Sequence, residues 1–383
     1  MVSRVAVVIT RLEGGAGLLA LRGAMALDPR RYRCTIITGS GSELLATAHT
    51  AGLETVLEPA LRAPISPRSD LVALRRLGSL LRRGRFDVVH THCAKAGALG
   101  RLAAHRAGVP RIVHTFHGFP FHEFQSRARR SAYIAIERRL GRITDQALCV
   151  GTGVAVEAVR RGLVAPDRVR RIGVVVDDVA PAGRAEARRA LGLPQQATVV
   201  GVVGRLTYQK APDDFVTAMR MLGSSHDVIG VWVGGGELAG RIGSLVANLP
   251  DAHVVLAGHR TDARRLLPAF DVFALPSRYE GLPTAVVEAM TCGVPVVATA
   301  VNAVADVVVP GETGLLVPPG RPELLAGAVR RLLDSPEMAA RLAAAARDRV
   351  AGRYGMAALR DALEEAYPVS PGAAARRAVA RQP

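Results

Sequence analysis

Two glutamates, Glu280 and Glu288, stand eight residues apart in the run Ser277-Arg278-Tyr279-Glu280-Gly281-Leu282-Pro283-Thr284 and the apolar stretch behind it. On a continuous helix that spacing is about 12 Å, but Gly281 and Pro283 interrupt it and Thr284 is a natural N-cap. The pattern predicts Glu280 in a loop facing a ligand and Glu288 one turn into a helix. The segment Gly281, Leu282, Pro283 and Thr284 would then lie against an anion at the helix N-terminus, where unpaired N–H groups and the helix dipole favour negative charge. Two carboxylates flanking an anion suit hydroxyl groups on either side of a diphosphate.

Other residues point to the same chemistry. The 50 basic residues include lysine at Lys95 and Lys210 alone, and Lys210 closes the run Gly204-Arg205-Leu206-Thr207-Tyr208-Gln209-Lys210 behind an apolar segment. A guanidinium and an ammonium on one loop would stabilise the charge of a departing diphosphate. Near the N-terminus, Gly14-Gly15-Ala16-Gly17 lies between a β-branched run and a helix expected from about Leu18, where backbone N–H groups of Gly15 and Ala16 can approach a phosphate. Backbone near 258–260, with Arg260, is expected to meet the base of a nucleotide. His90, His92 and His114 sit at strand ends without carboxylate partners and read as hydrogen-bonded residues, so no metal site is expected. No Asp-x-Asp triplet occurs, which leaves basic side chains and a helix N-terminus to do the work of a divalent ion.

Positioning such residues requires strands that end in loops. Short β-branched runs alternate with Ala/Leu/Arg-rich helical stretches throughout, the signature of βαβ units and parallel sheets. Strands are expected at 5–10, 34–38, 88–91, 112–116 and 147–150, and again at 199–203, 228–233, 254–257, 272–275 and 295–298. Two sets of five predict an α/β chain of two Rossmann-like domains, with the break in 174–194, where Asp177, Asp178, Pro181 and Gly183 cluster.

The chain has 383 residues and a formal charge of +17, so an anionic partner is expected. Nucleic acid is disfavoured, because aromatic residues make up only 4% and no nucleic-acid-binding motif appears. Four scattered cysteines without a C-x-x-C pair argue against a zinc ribbon or a disulfide framework. No signal peptide or spanning segment is recognisable, so a cytoplasmic protein is expected, with a membrane contact confined to the inner surface. Tyr133, Ile136, Leu140 and Ile143 form an apolar stripe beside Arg127, Arg129, Arg130, Arg138, Arg139 and Arg142. Leu71, Leu74, Leu77 and Leu81 form another beside Arg75, Arg76, Arg82 and Arg83. Both stripes are read as core-facing, with the outer arginines available to anionic lipid.

The motifs together resemble the retaining glycosyltransferases of family four, which have the two-domain GT-B fold. The resemblance covers residues 1 to 350: the glycine loop, His90 to Gly97, His114 to Phe119, Val203 to Lys210 and the Glu-x7-Glu pair follow in the family's order. It is closest to bacterial members that build cell-surface polysaccharides and glycolipids. It implies an N-terminal acceptor-binding domain (1–175), a nucleotide-sugar-binding domain (176–350) facing it across a cleft, a helix returning to the N-terminal domain (351–367) and a disordered basic tail (368–383). It further implies retaining, metal-independent hexosyl transfer from a nucleotide-diphosphate sugar to a saccharide or lipid-linked saccharide, with no cofactor. Arg205 and Lys210 would bind the diphosphate, Glu288 the ribose, Glu280 the donor sugar's hydroxyls, and His117 would lie beside that sugar. Gly204 belongs to the donor loop, while His92 and Lys95 fall in the acceptor domain's signature. The sequence departs from the family at Ala211, where glycine is common, and at 301–306. Two other functions remain open, a UDP-sugar 2-epimerase of similar fold and a non-catalytic nucleotide-sugar-binding protein.

Overall fold

The computed structural model describes residues 2–121, 125–176, 181–223, 227–249, 253–351 and 353–368. Asp177, Asp178 and most of the expected tail fall outside them. The chain divides into two compact units, Met1–Val175 with Tyr354–Pro383, and Val176–Arg353.

The first unit is a seven-stranded parallel sheet. Its strands are β1 (Ser3–Ile9), β2 (Tyr32–Thr38), β3 (Glu54–Leu57), β4 (Val88–His92), β5 (Arg111–Phe116), β6 (Gln146–Cys149) and β7 (Val169–Arg171), in the order β3-β2-β1-β4-β5-β6-β7. Helices α1 (Gly14–Ala26), α2 (Glu43–Thr50), α3 (Pro67–Gly84), α4 (Ala94–Arg106), α5 (Arg127–Gly141) and α6 (Thr152–Arg160) connect them. Val5 to Ile9 are all buried, as expected of a parallel strand covered by helices on both faces. The second unit opens on α7 (Arg184–Ala190) and holds β8 (Thr198–Val203), β9 (Val228–Val233), β10 (Val254–Leu256), β11 (Val272–Leu275), β12 (Val296–Thr299) and β13 (Leu315–Val317). Their order is β10-β9-β8-β11-β12-β13. Its helices α8 (Pro212–Gly223), α9 (Ala239–Ala247), α10 (Ala263–Leu266), α11 (Thr284–Thr291), α12 (Val304–Val307), α13 (Pro322–Leu333) and α14 (Pro336–Val350) pack on the sheet and on one another. Finally α15 (Met356–Ala366) lies against α1 in the first unit.

Three strands escape the sequence reading: β3, β7 and β13. Each lies at a sheet edge, where only one neighbour supplies hydrogen bonds, and β7 is the triplet Val-Arg-Arg, which lacks an apolar run. Helix α1 begins at Gly14 and not near Leu18. Gly17 serves packing: a Cβ there would lie 2.8 Å from the Leu12 carbonyl carbon, so only glycine admits the helix this close to the loop that follows β1. On α5 the expected stripe is turned. Ile136 is 49% exposed, and Glu137 is buried in an ion pair of 2.7 Å with the buried Arg101 of α4. A buried charge needs a partner, and that requirement rotates the helix away from the face its apolar residues alone would choose. On α3, Leu77 and Leu81 are buried as expected and Leu71 is exposed.

In each sheet the strand order reverses once, between β1 and β4 and between β8 and β11. Crossovers leave in opposite directions there, opening a crevice at the carboxyl ends of the two strands, the usual ligand position in such sheets.

Candidate functional site

In the second unit the crevice at β8 and β11 gathers residues some seventy positions apart. Val200 and Gly201 of β8 pair with Val272 and Phe273 of β11, so the loops leaving the two strands run side by side. Lys210 ends a short 3-10 turn, Tyr208–Lys210, and its Nζ lies 2.5 Å from Oε1 of Glu280. Glu280 Oε1 also accepts from Ser277 Oγ at 2.6 Å, and Oε2 accepts from Gln209 Nε2 at 3.3 Å. The Lys210 and Glu280 side chains are 14% and 5% exposed, so this is a largely desolvated pair held by neutral donors as well as by charge. Gly204 is where the lysine stem passes: a Cβ there would come within 3.4 Å of Lys210 Cδ. The Gly204 carbonyl accepts from the indole of Trp232 at 2.8 Å. Arg205 is exposed at the mouth of the same loop.

Residues not singled out from the sequence fix this geometry. Arg278 stacks on the Tyr208 ring at 4.5 Å, donates to the Tyr208 carbonyl at 2.8 Å and pairs with Asp213 at 2.9 Å. It thereby clamps the lysine loop to the glutamate loop. Asp214, 3.4 Å from the same guanidinium, is pushed up from the usual carboxylate range by burial, against the pull of Arg278. Asn302 accepts the Glu280 amide at 3.2 Å from a left-handed backbone, φ 43°, which asparagine tolerates better than most residues. It belongs to the stretch that departs from the family pattern. Ala211 is also left-handed, φ 51°, which accounts for glycine being common there. Of these, Arg278 carried a sequence signal in its place two residues before Glu280, and Ala211 and Asn302 in their departure from the family pattern.

Helix α11 starts one residue earlier than a Thr284 cap would place it, at Thr284 itself. Pro283 holds the cap position with φ −76° and ψ 109°, and no side chain caps the helix. Proline has no N–H and Pro283 is buried, so its role is conformational. The usable donors are the amides of Gly281, Leu282 and Thr284, whereas the Leu282 side chain points into the core. Glu288 lies one turn in and is half-buried. Arg260 grips Asp262 with two bonds of 2.8 Å and reaches the Ala190 carbonyl at 3.3 Å. Its charge is thus matched locally, and the Gly258 to Arg260 backbone is what remains for a base.

In the first unit the crevice at β1 and β4 carries Gly15 and Ala16 in the uncapped first turn of α1. His92, expected at an acceptor, is 2% exposed, and its Nδ1 lies 2.9 Å from Nε2 of His117. Lys95, in the first turn of α4, pairs with Asp70 at 2.6 Å and donates to the Pro64 carbonyl. These contacts tie the start of α3 to α4. Between them Cys93 adopts φ 64° and ψ 165°, a strained conformation for any residue but glycine. His90 bonds Tyr367 at 2.8 Å and Thr115 at 2.7 Å, and His114 bonds Thr91 at 2.8 Å. Burial holds His90 down to about 3 and His117 down to about 4, with the neighbouring His117 adding to the effect on His90. His92 and His114 are held well below the imidazole range, again chiefly by burial. The four rings are therefore neutral near pH 7.

Residues 13–179 match the family described as Glycosyltransferase Family 4, and residues 183–349 the one described as Glycosyl transferases group 1. A UDP-Gal:alpha-D-GlcNAc-diphosphoundecaprenol alpha-1,3-galactosyltransferase of Escherichia coli is 34% identical over 64% of this chain, and the chain spans 65% of that enzyme's length. A D-inositol 3-phosphate glycosyltransferase of Thermobispora bispora is 31% identical over 78% of this chain and 74% of its own. Among solved structures, Anabaena HepE in complex with UDP and glucose superposes with a TM-score of 0.82 at 19% identity, covering 95% of this chain and 98% of HepE.

Proposed function

The chain belongs to the glycosyltransferases, with a family 4 module followed by a group 1 module in the GT-B fold, and from that premise we propose that it transfers a hexosyl group, with retention and without a metal ion, from a nucleotide-diphosphate sugar to a lipid-linked saccharide of the cell envelope. The observation that carries the donor half is the desolvated Lys210–Glu280 pair beside the uncapped start of α11. In this reading Lys210, Arg205 and the amides of Gly281, Leu282 and Thr284 receive the diphosphate, whose negative charge grows as the glycosidic bond breaks. Glu280 orients the sugar hydroxyls, Glu288 takes the ribose, and His117 hydrogen-bonds the sugar. The largely desolvated Lys210 and the exposed Arg205 would supply the stabilisation that a divalent ion gives elsewhere.

A lipid-linked acceptor draws support from the Escherichia coli relative, and the exposed arginines of α5 give a means of resting on an anionic membrane. No helix among the described residues is long and apolar enough to cross one.

Trp232, the sole tryptophan, bonds to Gly204 in the donor loop and serves as the probe. Titrating nucleotide sugars is expected to change its fluorescence saturably, and the productive donor to label membrane lipid extracts in chelator as well as without it. Glu280→Gln is expected to remove transfer while the folded spectrum persists. Full activity in that variant, or activity that disappears in chelator and returns with manganese, would overturn the assignment; sugar epimerised without acceptor would favour the epimerase.

A further inference from the structure

The reading of His117 as the residue beside the donor sugar leaves open which of its nitrogens carries the proton, and a buried neighbour decides it. A neutral imidazole has one N–H and one lone pair, so one member of the His92 Nδ1 to His117 Nε2 contact of 2.9 Å donates. The other nitrogen of His92, Nε2, is buried with no hydrogen-bond partner among the described residues. His92 borders a small, mostly apolar cavity whose walls include Val7, Leu19, Ala24 and Leu363, and the two polar side chains that share the lining, His90 and Tyr367, are bonded to each other. A proton on Nε2 would be an orphaned N–H against these side chains, a rarer and costlier arrangement than an unused lone pair. The proton therefore belongs on Nδ1 of His92, which donates to Nε2 of His117.

We infer that His92 is a positioning residue that fixes His117 as its Nδ1–H tautomer, so that His117 presents a hydrogen-bond donor and has its lone pair occupied. His90 packs against His92 at a centroid distance of 4.2 Å with the rings tilted by 37°, and is itself held by Tyr367 at the end of α15 and by Thr115 of β5. The ring of His92 is thus supported from one side. Arg101 of α4 acts on His114 and is paired with Glu137, while Tyr367 at the end of α15 contributes its phenol. His117 so held stabilises negative charge on a sugar or leaving-group oxygen and does not take a proton.

Long-range proton–nitrogen correlation spectra of the full chain labelled with 15N-histidine, assigned by His117→Gln, read the tautomer directly. His117 is expected to be neutral and protonated on Nδ1. In His92→Phe the freed nitrogen should shift His117 toward the Nε2–H form, with kcat lowered about 10- to 100-fold, the cost usual for losing a residue that orients a histidine, and KM for the donor little changed. His92→Asn, whose side-chain amide can donate in place of Nδ1–H, should recover the original tautomer and covers the case in which His92→Phe fails to fold. His117 protonated on Nε2 in the unaltered protein, or unmoved in His92→Phe, overturns the inference. The spectra need no turnover: an Nδ1–H His117 in a protein that transfers no sugar would sink the functional reading and leave this one standing.

Discussion

At the scale of single residues the decisive contact is the one between Lys210 and Glu280. An ammonium is a compact charge on a thin stem, and that stem passes within reach of Gly204, where a side chain would crowd it. A guanidinium is broad and planar and cannot place the same charge at the same point. Lys210→Arg is therefore expected to lower kcat/KM by about tenfold or more in transfer assays, despite keeping the charge. Lys210→Ala leaves a buried carboxylate without its counter-ion and should destabilise the second unit by about 3 kcal/mol, read as a lower denaturant midpoint by Trp232 fluorescence. Equal stability of Lys210→Ala and the unaltered protein would show that Ser277 and Gln209 suffice to hold Glu280. The sequence named both residues from their motifs but not their partnership, because nothing local links positions 70 apart.

At the scale of elements, sequence patterning located the strands of the sheet interiors and the edge strand β10, and missed the edge strands β3, β7 and β13 and some helix ends. The interior strands are buried on both faces and read as apolar runs, whereas β7 is paired on one side and carries arginines. Helix α5 shows the limit of periodicity most clearly, since Glu137 points inward for the sake of Arg101 and leaves Ile136 outside. Its outer surface then combines Ile136 with Arg127, Arg129 and Arg139, all exposed. Each arginine near an anionic surface adds about 1 kcal/mol. Replacing Arg129, Arg130, Arg138 and Arg139 by serine is thus expected to weaken partitioning onto anionic vesicles by at least about tenfold, with no change on neutral ones. Unaltered sedimentation with anionic vesicles would remove α5 as the membrane contact.

At the scale of the whole molecule the histidine cluster makes the two units respond differently to acid. His90 and His117 titrate at about 3 and about 4 in the folded protein against 6.5 for a free side chain, and His92 and His114 shift the same way. Below pH 6.5 the unfolded chain binds protons that the folded one refuses. The stability these neutral rings represent is therefore complete above that pH and is lost as pH falls toward the folded values, by about 1.4 kcal/mol per histidine per pH unit. The first unit should open between about pH 6 and pH 5, detected by hydrogen exchange in residues 88–117, while Trp232 fluorescence in the second unit still reports a folded state. Coincident loss of both signals would show that the cluster does not control acid stability.

The sequence alone determined the class of the molecule, two parallel α/β units, and it named the residues proposed to meet a diphosphate sugar. Those properties reside in short runs: apolar strands, a glycine or proline at a helix start, a lone lysine kept among arginines. Tertiary structure decided which of them meet. The adjacency of β8 and β11 sets Lys210 on Glu280, the Arg101–Glu137 pair turns α5, and α15 carries Tyr367 to His90 across 277 positions. It also buried His92 against His117 and paired Lys95 with Asp70, partners no local pattern indicates. Burial and long-range pairing depend on strand order, and strand order is fixed by packing the whole sheet, which no single segment encodes.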